Sequence, residues 1–172
     1  MNRRQFLRYS LAVPVITLAT TKVVAMARHY PLDELLTQLK RLPPEKLFSK
    51  GNWSVSMILQ HLAQSIRYSR LGYPQAKSAL FQYTAGAAAL NVFTASGSMT
   101  HPLDEAIPGA PALIAEVPND VAMAELIAEI GQFIAWQGEL APHFAYGNLT
   151  KAQYYNAHYL HIQNHLSEIS LG

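Results

Sequence analysis

Cysteine is absent from the 172 residues of this chain. The protein therefore forms no disulfide, has no thiolate nucleophile and offers no cysteine ligand to a metal ion. Any bound metal must be held by histidine, carboxylate or water. Acidic residues are missing from the first 27 residues, which contain four basic residues, Arg3, Arg4, Arg8 and Lys22. The remaining chain has nine Lys and Arg against eleven Asp and Glu, so it is mildly acidic although the overall charge is +2.

Long apolar runs and basic–aromatic runs are also lacking. Half of the residues are apolar and 14% are charged, which is typical of one folded domain with its own core. This composition excludes a disordered chain and a polytopic membrane protein. No segment combines Lys or Arg with aromatic residues in the manner of a nucleic-acid groove, so nucleic acid is not an expected partner. Strand periodicity is absent too, which predicts an all-α protein.

The first 27 residues have the pattern of an export signal. The basic segment Asn2–Arg8 precedes an apolar stretch, and Ala25–Ala27 offers a small-x-small cleavage site. This pattern predicts a signal peptide over residues 1–27, cleaved after Ala27, and a single domain over residues 28–172. The paired arginines followed by Phe-Leu and a basic residue resemble a twin-arginine signal. The resemblance implies the twin-arginine export machinery as a partner and a periplasmic or otherwise exported location. An uncleaved membrane anchor is the alternative.

Apolar periodicity predicts five helical segments in the remaining chain. Ser54 is the expected N-cap of the second helix, and Thr150–Gln153 forms a capping box that starts the last one. Residues 97–118, here called the central loop, hold too many Gly and Pro for a regular element, and loops of this length often cover a site. The architecture expected is four main helices plus a shorter one. The predicted segments are residues 31–39, 55–71, 76–96 and 119–140, followed by the helix from Thr150. Asn119 or Asp120 is the expected N-cap of the 119–140 segment.

Three of the seven histidines share one face of the last helix. His158, His161 and His165 fall within roughly 60° of one another at 100° per residue. His161 and His165 are four residues apart, so their rings lie one above the other. Burying unpaired or protonated histidines together costs on the order of several kcal/mol. A metal ion bound by all of them removes this cost. The alternative is an exposed histidine-rich face.

Several motifs resemble the DinB/YfiT-like superfamily when their order and spacing are taken together. They are Trp53-Ser54, Leu59, His61-Leu62-Ala63, Gly147-x-Leu149-Thr150 and His158-x-x-His161-x-x-x-His165. Gly-Tyr-Pro-Gln at residues 72–75 and Pro-Gly-Ala-Pro at residues 108–111 resemble a branch of that superfamily with no known function. The resemblance covers residues 32–171.

The resemblance implies a four-helix bundle that binds a divalent metal ion, most often zinc or nickel. One ligand comes from the second helix and two come from the last, which by position are His61, His161 and His165. His158 lies one turn before the pair and is not expected to be a ligand. Glu168 stands in the three residues after the last ligand, where many members of the superfamily have Arg-Gly-Gln.

Three protein nitrogens with open positions predict a reactive metal site. The expected activity is hydrolysis or thiol S-transfer on a small molecule, with His158 and Glu168 as weak candidates for a catalytic acid or base, beside Tyr68 and Tyr154. A non-catalytic metal-binding or interaction bundle is the alternative. His101 and His143 lie in loops and are expected to face solvent. The Ala-rich helix of residues 76–96 is a possible homodimer interface.

Overall fold

The structure is a computed structural model that describes residues 30–172. The predicted signal peptide lies outside the described residues, so its cleavage and its role in export stay predictions. Within the described part, no helix is both long enough and apolar enough to cross a membrane.

The described chain is mostly helical, and every predicted helical segment is present. Residues 79–96 contain an unusual stretch, because a single turn at Ala79–Phe81 continues through a π-helical turn at Gln82–Gly86 into the regular helix. The π-helical turn ends at Gly86. The helices are α1 (Leu32–Leu39), α2 (Val55–Leu71), α3 (Ala87–Ser96), α4 (Asn119–Ala135) and α5 (Lys151–Leu166), and a short 3-10 turn occupies Pro44–Lys46.

Side-chain caps fix the starts of the two helices that carry most of the predicted ligands. The Ser54 hydroxyl accepts a hydrogen bond from the backbone N–H of Met57 at 3.2 Å, which confirms the predicted N-cap of α2. The Thr150 hydroxyl accepts from the Gln153 N–H, and the Gln153 side chain accepts from the Thr150 N–H, which completes the predicted capping box of α5. Each cap satisfies amide groups that a helix start leaves without partners.

The prediction for α4 was wrong at both ends. The helix ends at Ala135 rather than at residue 140, because Trp136 adopts an extended backbone and its indole N–H donates to the Glu139 carbonyl at 3.0 Å. Neither Asn119 nor Asp120 caps the start. The Asn119 amide instead donates to the Pro44 carbonyl at 3.3 Å, so it links α4 to the segment before α2.

The core lies where α2 packs along α4, and α5 contacts α1, α2 and α3. Leu59, Leu62, Leu126 and Ile130 are completely buried between these helices. One polar link crosses the same interface: the buried Arg70 guanidinium of α2 is paired with the buried Glu129 carboxylate of α4. The Arg67 guanidinium, which is partly exposed, pairs with Glu129 and Glu125.

Two short strands correct the prediction of a purely helical chain. β1 (Leu47–Ser49) pairs antiparallel with β2 (Ile169–Leu171), with Phe48 opposite Ser170. Three residues are too few for a period-two pattern to stand out, and the partners are more than 100 positions apart in sequence. The ribbon attaches the chain that follows α5 to the chain that precedes α2. It therefore holds the end of the last helix against the start of the second.

Candidate metal centre

The structure brings the three predicted ligands together. His61 of α2 faces His161 and His165 of α5. The Nε2 atom of His161 lies 3.2 Å from Nε2 of His61 and 3.1 Å from Nε2 of His165. One ring nitrogen from each residue falls within 4.8 Å of the others. Three nitrogens from two helices thus converge on one point.

These separations fit the ligand shell of a metal ion. An imidazole nitrogen binds zinc at about 2.0–2.1 Å. At this bond length, the nitrogen atoms of two ligands lie about 3.3–3.4 Å apart if the angle at the metal is tetrahedral and about 2.9 Å apart if it is a right angle. The measured 3.1 and 3.2 Å lie between these two values. The three histidines therefore fit either geometry, with the remaining coordination positions open.

Hydrogen bonding among the rings satisfies the three facing nitrogens less well than a metal ion would. A ring nitrogen of a neutral histidine either donates one hydrogen or accepts at one lone pair. His161 Nε2 faces both neighbours, so it would have to share one hydrogen or one lone pair between two rings. A buried polar group left without a partner costs about 1–3 kcal/mol. A shared metal ion binds all three lone pairs, so the donor set itself favours a metal.

Burial keeps the three rings neutral, which is the form that binds metal. Desolvation, and then the charge of His101, lowers the pKa of His61 to about 4. Desolvation, followed by the charges of His61 and His101, lowers the pKa of His165 to about 3. Desolvation also places the pKa of His161 well below its usual value. The lone pairs are therefore free at neutral pH.

The Trp53 indole supports two of the three rings. Its ring lies 5.1 Å from the ring of His61 and is stacked on the ring of His165 at 6.3 Å, with planes 5° apart. The outer nitrogens, Nδ1 of His61 and of His165, are buried without a hydrogen-bond partner among residues 30–172. In many metal sites a hydrogen bond to the outer nitrogen orients each histidine ligand. Here packing against Trp53 orients these two rings instead.

A cavity of about 230 Å³ opens beside the cluster. Its wall contains His61 and His161 but not His165. Most of the lining is apolar, and the charged side chains on the wall are Lys77 and Glu105. A small organic molecule in this space would lie against two of the three histidines and would meet few polar groups.

A second histidine pair, His143 and His158, lies on the same cavity wall. His143 is 8% exposed, so the prediction that it faces solvent was wrong. Its Nδ1 accepts hydrogen bonds from the backbone N–H groups of Ala145 and Tyr146 at 3.1 and 3.2 Å, which leaves Nε2 as the donor. Desolvation, and then the charge of His158, lowers the pKa of His143 to about 3.

His158, the other member of this pair, is buried and does not join the three-histidine cluster. Its ring is stacked on Tyr154 and meets the edge of Phe133, and its Nε2 has no hydrogen-bond partner in the described chain. Desolvation lowers the pKa of His158 to about 3. His158 lines the cavity, so it can meet a bound molecule as a neutral imidazole.

The other candidate acids and bases lie away from the cavity. The carboxylate of Glu168 packs against Gly51, where an added methyl group would approach it to 2.4 Å. The Tyr154 hydroxyl donates to the Ala141 carbonyl at 2.8 Å, and desolvation raises its pKa. Tyr68 packs against Tyr73 and is not part of the cavity wall.

Sequence analysis missed the placement of His101. The prediction of a solvent-facing side chain was wrong, because its ring packs against His161 and His165 with ring centroids 5.1 and 5.2 Å apart. The available signal was the length of the central loop. Loops of this length are often functional or cover a site, and His101 is the only histidine of residues 97–118.

Comparison with known proteins gives one match. Residues 26–171 match a family described as "Protein of unknown function (DUF1569)". No curated protein and no solved structure matches this chain. The matched range includes all three converging histidines and the whole cavity wall.

Proposed function

Because this chain belongs to the DUF1569 family, for which no function is known, we propose its role from the metal centre. We infer that the protein binds one divalent metal ion, zinc or nickel, through His61, His161 and His165. The convergence of three Nε2 atoms, two pairs of which are 3.1 and 3.2 Å apart, carries this inference. The proposed activity is hydrolysis or thiol S-transfer on a small molecule that enters the adjoining cavity.

The metal, when bound, would supply a Lewis acid with open positions, able to activate a water molecule or a low-molecular-weight thiol at neutral pH. The protein's own residues would do the rest. Met99 and Ile107 are buried in the cavity wall and exclude water from the reacting group. The Nε2–H of His143 is available to donate to a substrate oxygen, and the Lys77 ammonium can attract an anionic group.

The cavity selects the proposed substrate class by size and polarity. About 230 Å³ admits a small molecule, and its mostly apolar wall favours an uncharged body with one polar or anionic end. We therefore expect an apolar ester, amide or electrophile rather than a sugar or a peptide. Neutral His158 lines the cavity, and its buried Nε2, which has no hydrogen-bond partner among residues 30–172, is placed to form a hydrogen bond with such a molecule.

A non-catalytic metal-binding bundle is the second candidate function. It is favoured by the position of the Glu168 carboxylate against Gly51, which leaves Glu105 as the carboxylate on the cavity wall. A hydrolase would then depend on Glu105 or on histidine for proton transfer. In this alternative the ion is structural, or the protein senses or stores it.

The wider proposal concerns architecture and location. We propose that the helices form a four-helix bundle of the DinB type and that residues 1–27 direct export through the twin-arginine machinery. The ligands support this export route, because His61 and His161 are 100 positions apart and can share a metal ion only in a folded chain. Homodimerisation through the Ala-rich residues 76–96 is part of the same proposal.

Elemental analysis of the purified protein tests the metal proposal. We expect about one zinc or nickel ion per chain in the unmodified protein and a near-complete loss in His161→Ala. His158→Ala is the matched control, because it removes a histidine one turn earlier on the same helix face and should keep the metal. Equal metal content in the unmodified protein and in His161→Ala would refute the proposal.

Turnover assays then separate the two candidate functions. The metal-loaded protein is offered a chromogenic ester, and separately an electrophile together with a small thiol. Turnover that disappears in His161→Ala supports an enzyme. If metal binding is stoichiometric but neither reaction proceeds faster than in His161→Ala, the non-catalytic alternative is favoured.

A further inference from the structure

The central loop places a fourth histidine against the three-histidine cluster. The ring of His101 lies 5.1 Å from that of His161 and 5.2 Å from that of His165. Met99 and Ile107, on either side of it in the loop, are 5% and 4% exposed. The side chain of Asn52 donates to the Asp104 carboxylate at 2.8 Å. These contacts anchor the loop on both sides of His101.

The hydrogen bond of the His101 ring fixes its tautomer. The Nδ1 atom lies 2.7 Å from the carbonyl oxygen of Pro102, which can only accept, so Nδ1 carries the proton. Nε2 is then a free lone pair, and it is buried without a hydrogen-bond partner among the described residues. Metal-binding histidines show this arrangement regularly, with one nitrogen donating to a carbonyl and the other bound to the ion.

The spacing of the rings fits four imidazoles around one ion. The measured centroid separations within the cluster, including those to His101, run from 4.8 to 5.2 Å. A ring centroid lies about 1.1 Å behind its nitrogen, so four tetrahedral imidazole ligands at 2.0–2.1 Å would have centroids about 5.2 Å apart. The His101 nitrogens are not in the set that lies within 4.8 Å of one another, so the His101 ring must move toward the cluster to reach the ion.

We propose that His101 is a fourth, displaceable protein ligand of the metal ion, contributed by the central loop. This inference rests on the proposed metal site. His101, His61 and His161 all line the cavity, whereas His165 does not, so His101 borders both the cluster and the space for a small molecule. With His101 bound, the four-nitrogen site is closed, as in structural sites. When His101 leaves, a position opens for the substrate.

Cobalt substitution tests this proposal without an activity assay. Co²⁺ is bound to the purified protein, its visible absorption is recorded, and its affinity is measured by competition with a chelator. Four-coordinate Co²⁺ absorbs more strongly than five- or six-coordinate Co²⁺. We expect His101→Gln to weaken the visible bands and to lower the affinity by about 10- to 100-fold, the range known for residues that support metal sites. Added imidazole should restore the bands in His101→Gly.

Glu105→Gln is the matched control, since Glu105 lies in the same loop and lines the same cavity. It should leave both the spectrum and the affinity unchanged. Identical spectra and affinities in the unmodified protein and in His101→Gln would overturn the role of His101 alone, provided that His161→Ala abolishes binding. An equal change in Glu105→Gln would assign the effect to a disturbed loop and would also overturn it. Absence of Co²⁺ binding in the unmodified protein would instead refute the metal site itself.

Discussion

Gly86 gives the most direct test of how the cavity wall is built. It ends the π-helical turn before α3, with φ −64° and ψ −49°, a conformation that any residue can adopt. Glycine is required at this position because there is no room for a Cβ atom. A Cβ atom at this position would lie 1.9 Å from the backbone oxygen of Ala145 and 3.1 Å from its carbonyl carbon. We therefore expect Gly86→Ala to force the Ala145 segment away from the helix.

The cost of this substitution follows from the size of the overlap. The Ala145 carbonyl must retreat by more than 1 Å, on the order of the backbone shifts that overpacking causes at a cost of about 1–3 kcal/mol. We expect a cost near the upper end of this range, because the obstructing atom belongs to the backbone. Replacing a helical glycine by alanine returns about 0.5–1 kcal/mol. The net loss in the free energy of unfolding is then about 2 kcal/mol.

Gly131→Ala is the matched control within α4. A Cβ atom there meets nothing within 4 Å, so this variant should gain about 0.5–1 kcal/mol. The two variants should differ by about 3 kcal/mol. With an m-value of about 2 kcal/mol/M, their urea midpoints would lie about 1.5 M apart. Equal midpoints for Gly86→Ala and the unmodified protein would refute the close approach of Ala145.

Three further predictions concern the buried polar groups and the support of the metal centre. Glu129→Ala should lower the free energy of unfolding by about 3–5 kcal/mol in urea, because it leaves its buried arginine partner unpaired. Glu125→Ala, which removes a partly exposed partner, should cost at most about 1 kcal/mol. Trp53→Ala should reduce Zn²⁺ affinity about tenfold in a chelator competition, since two ligand rings lose their support. An unchanged affinity would show that the rings need no such packing. The lowered pKa values of His143 and His158 mean that the unfolded chain takes up protons below about pH 6.5 while the folded chain does not until about pH 3. Stability should therefore be constant above pH 6.5 and fall toward pH 3, by on the order of 2 kcal/mol for each residue at pH 5. Urea unfolding at pH 7 and pH 5 should show a smaller loss in His158→Phe, and an equal loss would contradict the assignment.

Much of the fold and part of the site could be predicted from local patterns. Ser54 and the Thr150–Gln153 box mark helix starts through hydrogen bonds made within three residues, so the sequence alone locates them. His161 and His165 share a face because helix geometry dictates it. The prediction that His61 is the third ligand came from the family resemblance. Its closeness to His161 and His165 is visible only in the folded chain.

The features that sequence analysis missed depend on contacts between distant segments. His101 turns inward because neighbours such as Met99 are buried, and no periodic pattern exists in a loop to reveal this. His143 is buried because its ring accepts two amide hydrogens within its own turn. The early end of α4 depends on the hydrogen bond of Trp136 to a nearby carbonyl. In each case a specific tertiary or turn contact overrides the local preference.

The β1–β2 ribbon has a consequence for biosynthesis. β2 and the end of α5 are translated after α2 and the central loop, and the ribbon joins the end of α5 to the chain before α2, which carries His61. Segments fold from the N-terminus during synthesis, so α2 and the central loop can form while half of the proposed ligands are still missing. Metal loading would therefore wait until α5 has been synthesised. Any product that stops before residue 165 would lack the site, even if most of its core had formed.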